Sequence, residues 1–258
     1  MSTEATGRAL PWPSGYGRIV LDEVDSTMAE AARIVRTLDK PTWIMAHRQT
    51  EARGRRNRPW LQPKGNLAAT LIFRPQATPQ EAAKRSFLAA NALFEALSIY
   101  VDRNRLALKW PNDVLLNGGK IAGILLESAS RGPYVDWLSI GIGVNLTSAP
   151  TPPDAPDSAT AFRPVSLIQE GGERIGPEQF LTTLADAFAT QEAKLAAFGF
   201  PRIREDWLRN AARIGEEITA RTGKETIKGI FDTIDQDGNL ILITSRGPRS
   251  IAAADVFF

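Results

Sequence analysis

Lys109-Trp-Pro-Asn-Asp113-Val-Leu-Leu-Asn117-Gly-Gly-Lys120-Ile-Ala-Gly-Ile-Leu-Leu-Glu127 places two apolar runs on either side of Asn117-Gly-Gly119. Asn-Gly tolerates the left-handed backbone of a two-residue turn, so the spacing predicts a hairpin with Lys120 to Glu127 as the returning strand. Leu106 to Leu116 carries strand signals around Trp110-Pro-Asn-Asp113. Downstream, Tyr134 to Ile142 reads as another strand and ends in Gly141-Ile-Gly143-Val-Asn145. Upstream, Asn66 to Phe73 reads as a strand. Thr78-Pro-Gln-Glu81 is a capping box with proline at the first helical position. It opens a helix predicted to run to about Tyr100, with Phe87, Ala90, Leu93, Phe94 and Leu97 recurring at spacings of three and four.

Farther out, Gly17 to Asp22 and Trp43 to Ala46 read as strands. Between them a helix starts near Ser26 or Thr27, where Thr27-Met-Ala-Glu30 fits a second capping box. Thr147 to Pro164 is rich in Pro, Ser, Ala and Asp and reads as an irregular connection. Pro177 opens a long amphipathic helix predicted to stop near Gly199, and a shorter helix covers Arg202 to Ala212. From Gly215 short β-type runs (Glu217–Arg221, Thr226–Phe231, Asn239–Thr244) alternate with turns at Asp237-Gly238 and Gly247-Pro248. That pattern predicts a small all-β module. The expected division is a lead-in at 1–15, a main domain at 16–212 and the β-rich module at 213–258.

Composition narrows the function classes. The 258 residues are 43% hydrophobic and 23% charged, values of an ordinary globular protein. A net charge of +2 makes no case for a nucleic-acid or membrane partner. There is no cysteine, so disulfides, thiol nucleophiles and thiolate metal sites are excluded, and the only histidine is His47. No apolar run approaches the roughly 20 residues of a membrane span, and the N-terminus lacks the apolar centre of a secretory signal. The expected location is the cytoplasm. No Gly-x4-Gly-Lys-Ser/Thr phosphate loop is present.

Two segments carry candidate chemistry. Gln49 to Trp60 contains Arg53, Gly54, Arg55, Arg56 and Arg58. Guanidinium forks match carboxylate and phosphate oxygens, and Gly54 lets backbone amides approach a ligand. The loop suits a nucleotide phosphate and a carboxylate held together, or else a solvated basic face or a nucleic-acid patch. In the hairpin, Lys120 stands at the edge of an apolar strand, placed to neutralise a reacting carboxyl or phosphoryl group, with Asn112-Asp113 positioning a substrate or a metal-bound phosphate. The alternative is an exposed lysine and a turn-forming Asn-Asp pair.

Taken in order, Asp25-Ser26-Thr27, Gln49-Thr50, Arg53-Gly-Arg-Arg56, Trp60, Lys109-Trp-Pro-Asn-Asp113, Gly119-Lys-Ile-Ala-Gly123 and Gly141-x-Gly143-x-Asn145 resemble the bacterial biotin–protein ligases, in the form without an N-terminal DNA-binding domain. The resemblance implies an α+β fold: a mixed sheet flanked by helices, similar to class II aminoacyl-tRNA synthetases, with a small C-terminal SH3-like β-barrel. It implies activation of biotin by ATP with Mg2+, and transfer to a lysine of a biotin carboxyl carrier protein of acetyl-CoA carboxylase or a related carboxylase. A homodimer is possible in such a family. Biotin would meet Ser26, Thr27, Gln49, Arg53, Gly54, Arg55 and Lys120, with Lys120 and Arg55 catalytic. The nucleotide would meet Arg56, Trp60, Asn112, Asp113, Gly143 and Asn145. The resemblance assigns no metal ligands. Ala52 and Asn57 stand where the family has glycine, and Met28 where Asn is common. Other readings are a lipoate or octanoate ligase on the same fold, a nucleic-acid-binding module and a non-catalytic biotin-binding regulator.

Overall fold

A computed structural model describes residues 11–151 and 162–258. Seven strands form the main sheet: β1 (Gly17–Val24), β2 (Thr42–Gln49), β3 (Leu67–Phe73), β4 (Leu106–Lys109), β5 (Asp113–Leu116), β6 (Gly119–Arg131) and β7 (Tyr134–Val144). Their order is β1-β2-β3-β7-β6-β5-β4, parallel between β1 and β2 and antiparallel elsewhere. The mixed sheet expected for the family is therefore present.

Side-chain alternation gives the sheet two different faces. On one, Trp43, Met45 and Leu71 join the large core beneath α3 (Arg85–Leu97) and α4 (Pro177–Arg209). On the other, Ile44 and Ile72 pack with Ala31 and Val35 on and just beyond α1 (Thr27–Ile34). The Asn117 hairpin forms as predicted, with Asn117 at φ 49° and Gly118 at φ 75°.

Several local expectations change. Ser26 caps α1, its Oγ accepting from Met28 N, and Thr27 is the first helical residue. The Thr27–Glu30 capping box does not form because Thr27 Oγ1 turns toward Gln49 and Glu30 accepts from Arg33. The Thr78–Glu81 box does form, at the start of α2 (Pro79–Ala83), but the helix predicted to Tyr100 is divided into α2 and α3. In α4, Gly199 adopts φ 71°, which breaks the helix where the sequence placed its end. The irregular connection predicted at 147–164 falls in large part outside the described residues.

The C-terminal strands are β8 (Glu217–Arg221), β9 (Thr226–Ile234), β10 (Leu240–Thr244), β11 (Gly247–Ile251) and β12 (Asp255–Phe257). They pair antiparallel in the order β11-β10-β9-β8-β12, so β11 and β12 are edges and no hydrogen-bonded pair among the described residues closes a barrel. Gly247-Pro248, expected as a turn, lies inside β11. An edge strand accommodates a residue without an N–H. Ile218, Phe231, Leu242 and Val256 of this sheet are continuous with the main core, and Trp110 Nε1 donates to Gly238 O at 3.0 Å.

Candidate active site

On the α1 face, the centre of the main sheet lacks large side chains. Ala68, Gly143 and Gly123 lie side by side on β3, β7 and β6, and Gly141 pairs with Thr70. The missing side chains leave a cavity of about 400 Å³, the size of a small-molecule site. Trp60 lies on this floor: a Cβ at Gly143 would sit 2.5 Å from its Cε2, and one at Gly123 would sit 3.3 Å from its Cζ3. Met28 reaches over Gly141 in the same way, with Sδ 2.8 Å from where a Cβ would stand.

A β-bulge aims the lysine. Asp113 pairs with Gly123 and Val114 with Ala122, but Leu115 pairs with Lys120, which leaves Ile121 unmatched. Strict alternation from Gly123 would turn Lys120 to the opposite face. The extra residue returns it to the cavity, a recurrent use of bulges beside functional sites. Lys120 Nζ then lies 2.6 Å from Asp113 Oδ1 and 5.6 Å from the centre of the Trp60 ring. The Lys120 approach is off the direction of a hydrogen bond, and charge holds that oxygen. Lys109, only 7% exposed, approaches Asp113 Oδ2 at 3.4 Å and lies over the Phe162 ring. Burial pushes the Asp113 carboxyl up, but the ammonium groups of Lys120 and then Lys109 outweigh it and hold the carboxyl below its usual range. Burial pushes the Lys109 ammonium down, with Asp113 opposing.

Polar groups at the α1 end are already organised. Gln49 Oε1 accepts from Thr27 N at 2.8 Å and from Thr27 Oγ1 at 3.1 Å, and Thr70 Oγ1 donates to Thr27 Oγ1 at 2.8 Å. Gln49 Nε2 donates to Gln62 Oε1. Asn145 is buried, donating to Val165 O at 3.0 Å and accepting from Asn66 at 3.4 Å, so its amide is engaged with protein groups although it borders the cavity.

The arginine segment is a small closed hairpin. Arg53 bridges Pro59, Gly54 N donates to Arg58 O at 2.8 Å, and Trp60 N donates to Ala52 O at 2.9 Å. Arg53 donates to Glu127 at 3.1 Å, and Arg55 Nη1 donates to Asn112 Oδ1 at 3.3 Å, while Asn112 Nδ2 donates to Ile124 O at 2.6 Å. Arg56 and Asn57 are both left-handed, each at φ 57°. Asn suits that backbone where the family has glycine. Arg56 takes a conformation that costs on the order of 1 kcal/mol for a residue of its type. Arg56 and Arg58 both turn to Asp255 on β12.

Every site residue expected from the sequence borders this one cavity except Arg56, whose side chain is directed away to Asp255. Lys109, Met28, Phe162 and Asp255 also border it and were not among the expected site residues. Among the described residues no group of three His, Asp or Glu side chains gathers as a metal site.

Comparison with known proteins agrees with this arrangement. Residues 20–145 match the biotin/lipoate A/B protein ligase family, and residues 214–258 match the biotin protein ligase C-terminal domain. A biotin–[acetyl-CoA-carboxylase] ligase of Paracoccus denitrificans is 50% identical over 240 residues, spanning 93% of this chain and 99% of that protein. The chain belongs to the biotin–protein ligase family. The bifunctional ligase/repressor BirA of Bacillus subtilis is 33% identical across 94% of this chain and 74% of its own length. A biotin protein ligase of Aquifex aeolicus, solved with biotin and ATP, superposes with a TM-score of 0.75 at 24% identity, covering 93% of this chain and 98% of that one, and so shares the fold. In this biotin–protein ligase family member, Lys109 had a legible signal: a charge closing the apolar run Leu106-Ala-Leu108. Asp255 had none, because its partners lie about two hundred positions away.

Proposed function

We propose that the protein joins biotin to ATP in this cavity and passes the activated biotin to a lysine of a biotin carboxyl carrier protein. The observation that carries the reading is the gathering of Lys120, Arg55 and Asn112-Asp113 around a glycine floor covered by Trp60. The apolar carbons of biotin fit a cavity walled by strand glycines, Met28 and Trp60, and fixed cations at one end suit two anions that must meet.

In the first step a biotin carboxylate oxygen attacks the α-phosphorus of ATP. The bond from that phosphorus to the bridging oxygen breaks, and pyrophosphate leaves. Lys120 and Arg55 reduce the repulsion between the two anions and stabilise charge on the phosphoryl oxygens. Ser26, Thr27 and Gln49 provide hydrogen-bonding groups for the uncharged polar head of biotin, and Trp60, Gly143 and Asn145 border the space left for the nucleotide. In the second step the acceptor amine attacks the acyl carbon of the mixed anhydride, AMP leaves with the bonding pair, and the amine loses a proton as the amide forms. The arginine hairpin over the cavity limits the access of water to the anhydride.

The described residues do not form a metal cage, and Asp113 is committed to two ammonium groups. Mg2+ would arrive with the phosphates of the nucleotide and offset their charge, and no step here depends on protein ligation of it. No helix of the described chain is long and apolar enough to cross a membrane.

ATP–pyrophosphate exchange, run with biotin, lipoate or octanoate, tests the reading. Exchange with biotin alone is expected. Exchange with lipoate or octanoate instead would move the chain to the lipoate branch of the same family.

A further inference from the structure

β12 brings a carboxylate to the arginine hairpin from the far end of the chain. Asp255 Oδ2 accepts from Arg58 Nη2 at 3.1 Å and from Arg56 Nη1. These arginines flank the turn that presents Arg55, and Arg58 N donates to Arg55 O at 3.3 Å. Arg55 itself donates to Asn112 Oδ1 at 3.3 Å. Asp255 is fixed from behind: it pairs in register with Arg221 of β8, and its neighbours Ala254, Val256 and Phe257 border the same cavity.

We propose that Asp255 is a positioning residue for the reaction, holding Arg56 and Arg58 so that the hairpin stays closed with Arg55 on the reacting groups. Three features support this. The left-handed backbone at Arg56 is not self-sustaining for an arginine, and an external partner explains why it is kept. Three neighbouring guanidinium groups repel one another, and a carboxylate shared by two of them removes much of that repulsion. The pairing also makes the small sheet part of the cavity wall, so the C-terminal module contributes to closure of the site although it supplies none of the expected substrate contacts. Exposed ion pairs taken singly contribute little to stability. The role lies in where the hairpin rests.

The inference rests on the proposed activation of biotin, and its test separates the two. Asp255→Asn keeps the shape and removes the charge, and Asp255→Glu restores the charge. Limited trypsin digestion of the ligand-free protein, with cleavage after Arg55 and Arg56 quantified by mass spectrometry, reads hairpin closure without any substrate. Release of free biotinyl-adenylate, relative to transfer onto carrier protein, reads the functional consequence. Asp255→Asn is expected to speed cleavage and adenylate release severalfold, with thermal unfolding close to wild type and Asp255→Glu recovering part of the protection. Wild-type cleavage rates in a folded Asp255→Asn protein would overturn the proposal even if biotin exchange proceeded normally. Faster cleavage would uphold the closure role even if exchange with biotin failed.

Discussion

Lys120 Nζ lies 2.6 Å from Oδ1 of Asp113, a contact between the two strands of the β5–β6 hairpin that depends on the unmatched residue Ile121. The two charges do not simply neutralise each other, because Lys109 approaches the other oxygen of the same carboxylate. One anion held between two cations leaves a net positive charge on this wall of the cavity. That charge suits a site where a carboxylate and a polyphosphate must come together.

Removing Lys120 takes away the more accessible of the two cations. Lys120→Ala is expected to lower biotin-dependent pyrophosphate exchange by about a hundredfold, the scale seen when one fixed electrostatic donor is lost from a reacting centre. Folding is expected to persist, since Lys109 still balances Asp113. Single-turnover adenylation at the wild-type rate would exclude this role for Lys120.

Asp113 links the site to acid stability. Its folded carboxyl is held below the ordinary Asp value of about 3.9. The folded protein therefore binds that proton less readily than the unfolded chain does. The resulting stabilisation is complete above the ordinary value and is lost as pH falls through the lower, folded one. Asp113→Asn leaves Lys109 buried without a counter-charge and is expected to cost roughly 3 kcal/mol near neutral pH. The gap between variant and wild type should narrow as pH drops below about 4. Melting temperatures recorded from neutral to acid pH check this, and a constant gap across the range would contradict it.

Gly143 tests the floor beneath Trp60. A Cβ there would stand 2.5 Å from Cε2 and 2.6 Å from Cζ2 of the indole, so the ring must lift. Gly143→Ala is expected to weaken ATP binding by about tenfold, equivalent to 1.4 kcal/mol, with little change in melting temperature. Isothermal titration with ATP in the presence of biotin measures it. Wild-type affinity would mean that the indole position does not matter to the nucleotide.

Much of this site was legible because its chemistry lies in short contiguous motifs. The Asn117 turn and the arginine run each mark a local backbone need or a local charge density, and local patterns survive in a bare sequence. The small antiparallel sheet was legible for the same reason, from its alternating runs. The rest depends on register and distance. Nothing in Gly119-Lys-Ile-Ala-Gly123 announces the bulge, which appears only when β6 is laid against β5. The capping box at Thr27 failed because Gln49, 22 residues on, competes for the same hydroxyl. The family resemblance implied a nucleotide contact for Arg56, yet its side chain is directed to a carboxylate 199 positions away.

Arg55 is the guanidinium that the hairpin keeps over the cavity. Burial pushes its pKa down, with Asp255 opposing most strongly among the nearby charges, and an arginine this close to carboxylates remains a cation. Its hold on Asn112 Oδ1 at 3.3 Å ties the hairpin to the β4–β5 connection. Arg55→Gly removes that tie and the charge proposed to face the phosphoryl group, and it adds backbone freedom next to Gly54. Binding of biotin and ATP through the remaining groups should continue, so adenylate should still form, but it should escape before transfer. The expected result is free biotinyl-adenylate in solution and biotin attached to exposed lysines of unrelated proteins mixed into the reaction. Chromatography of the quenched reaction and blotting for biotin read the two signals. Tight retention of the adenylate by the variant, with labelling confined to the carrier protein, would show that closure does not depend on Arg55.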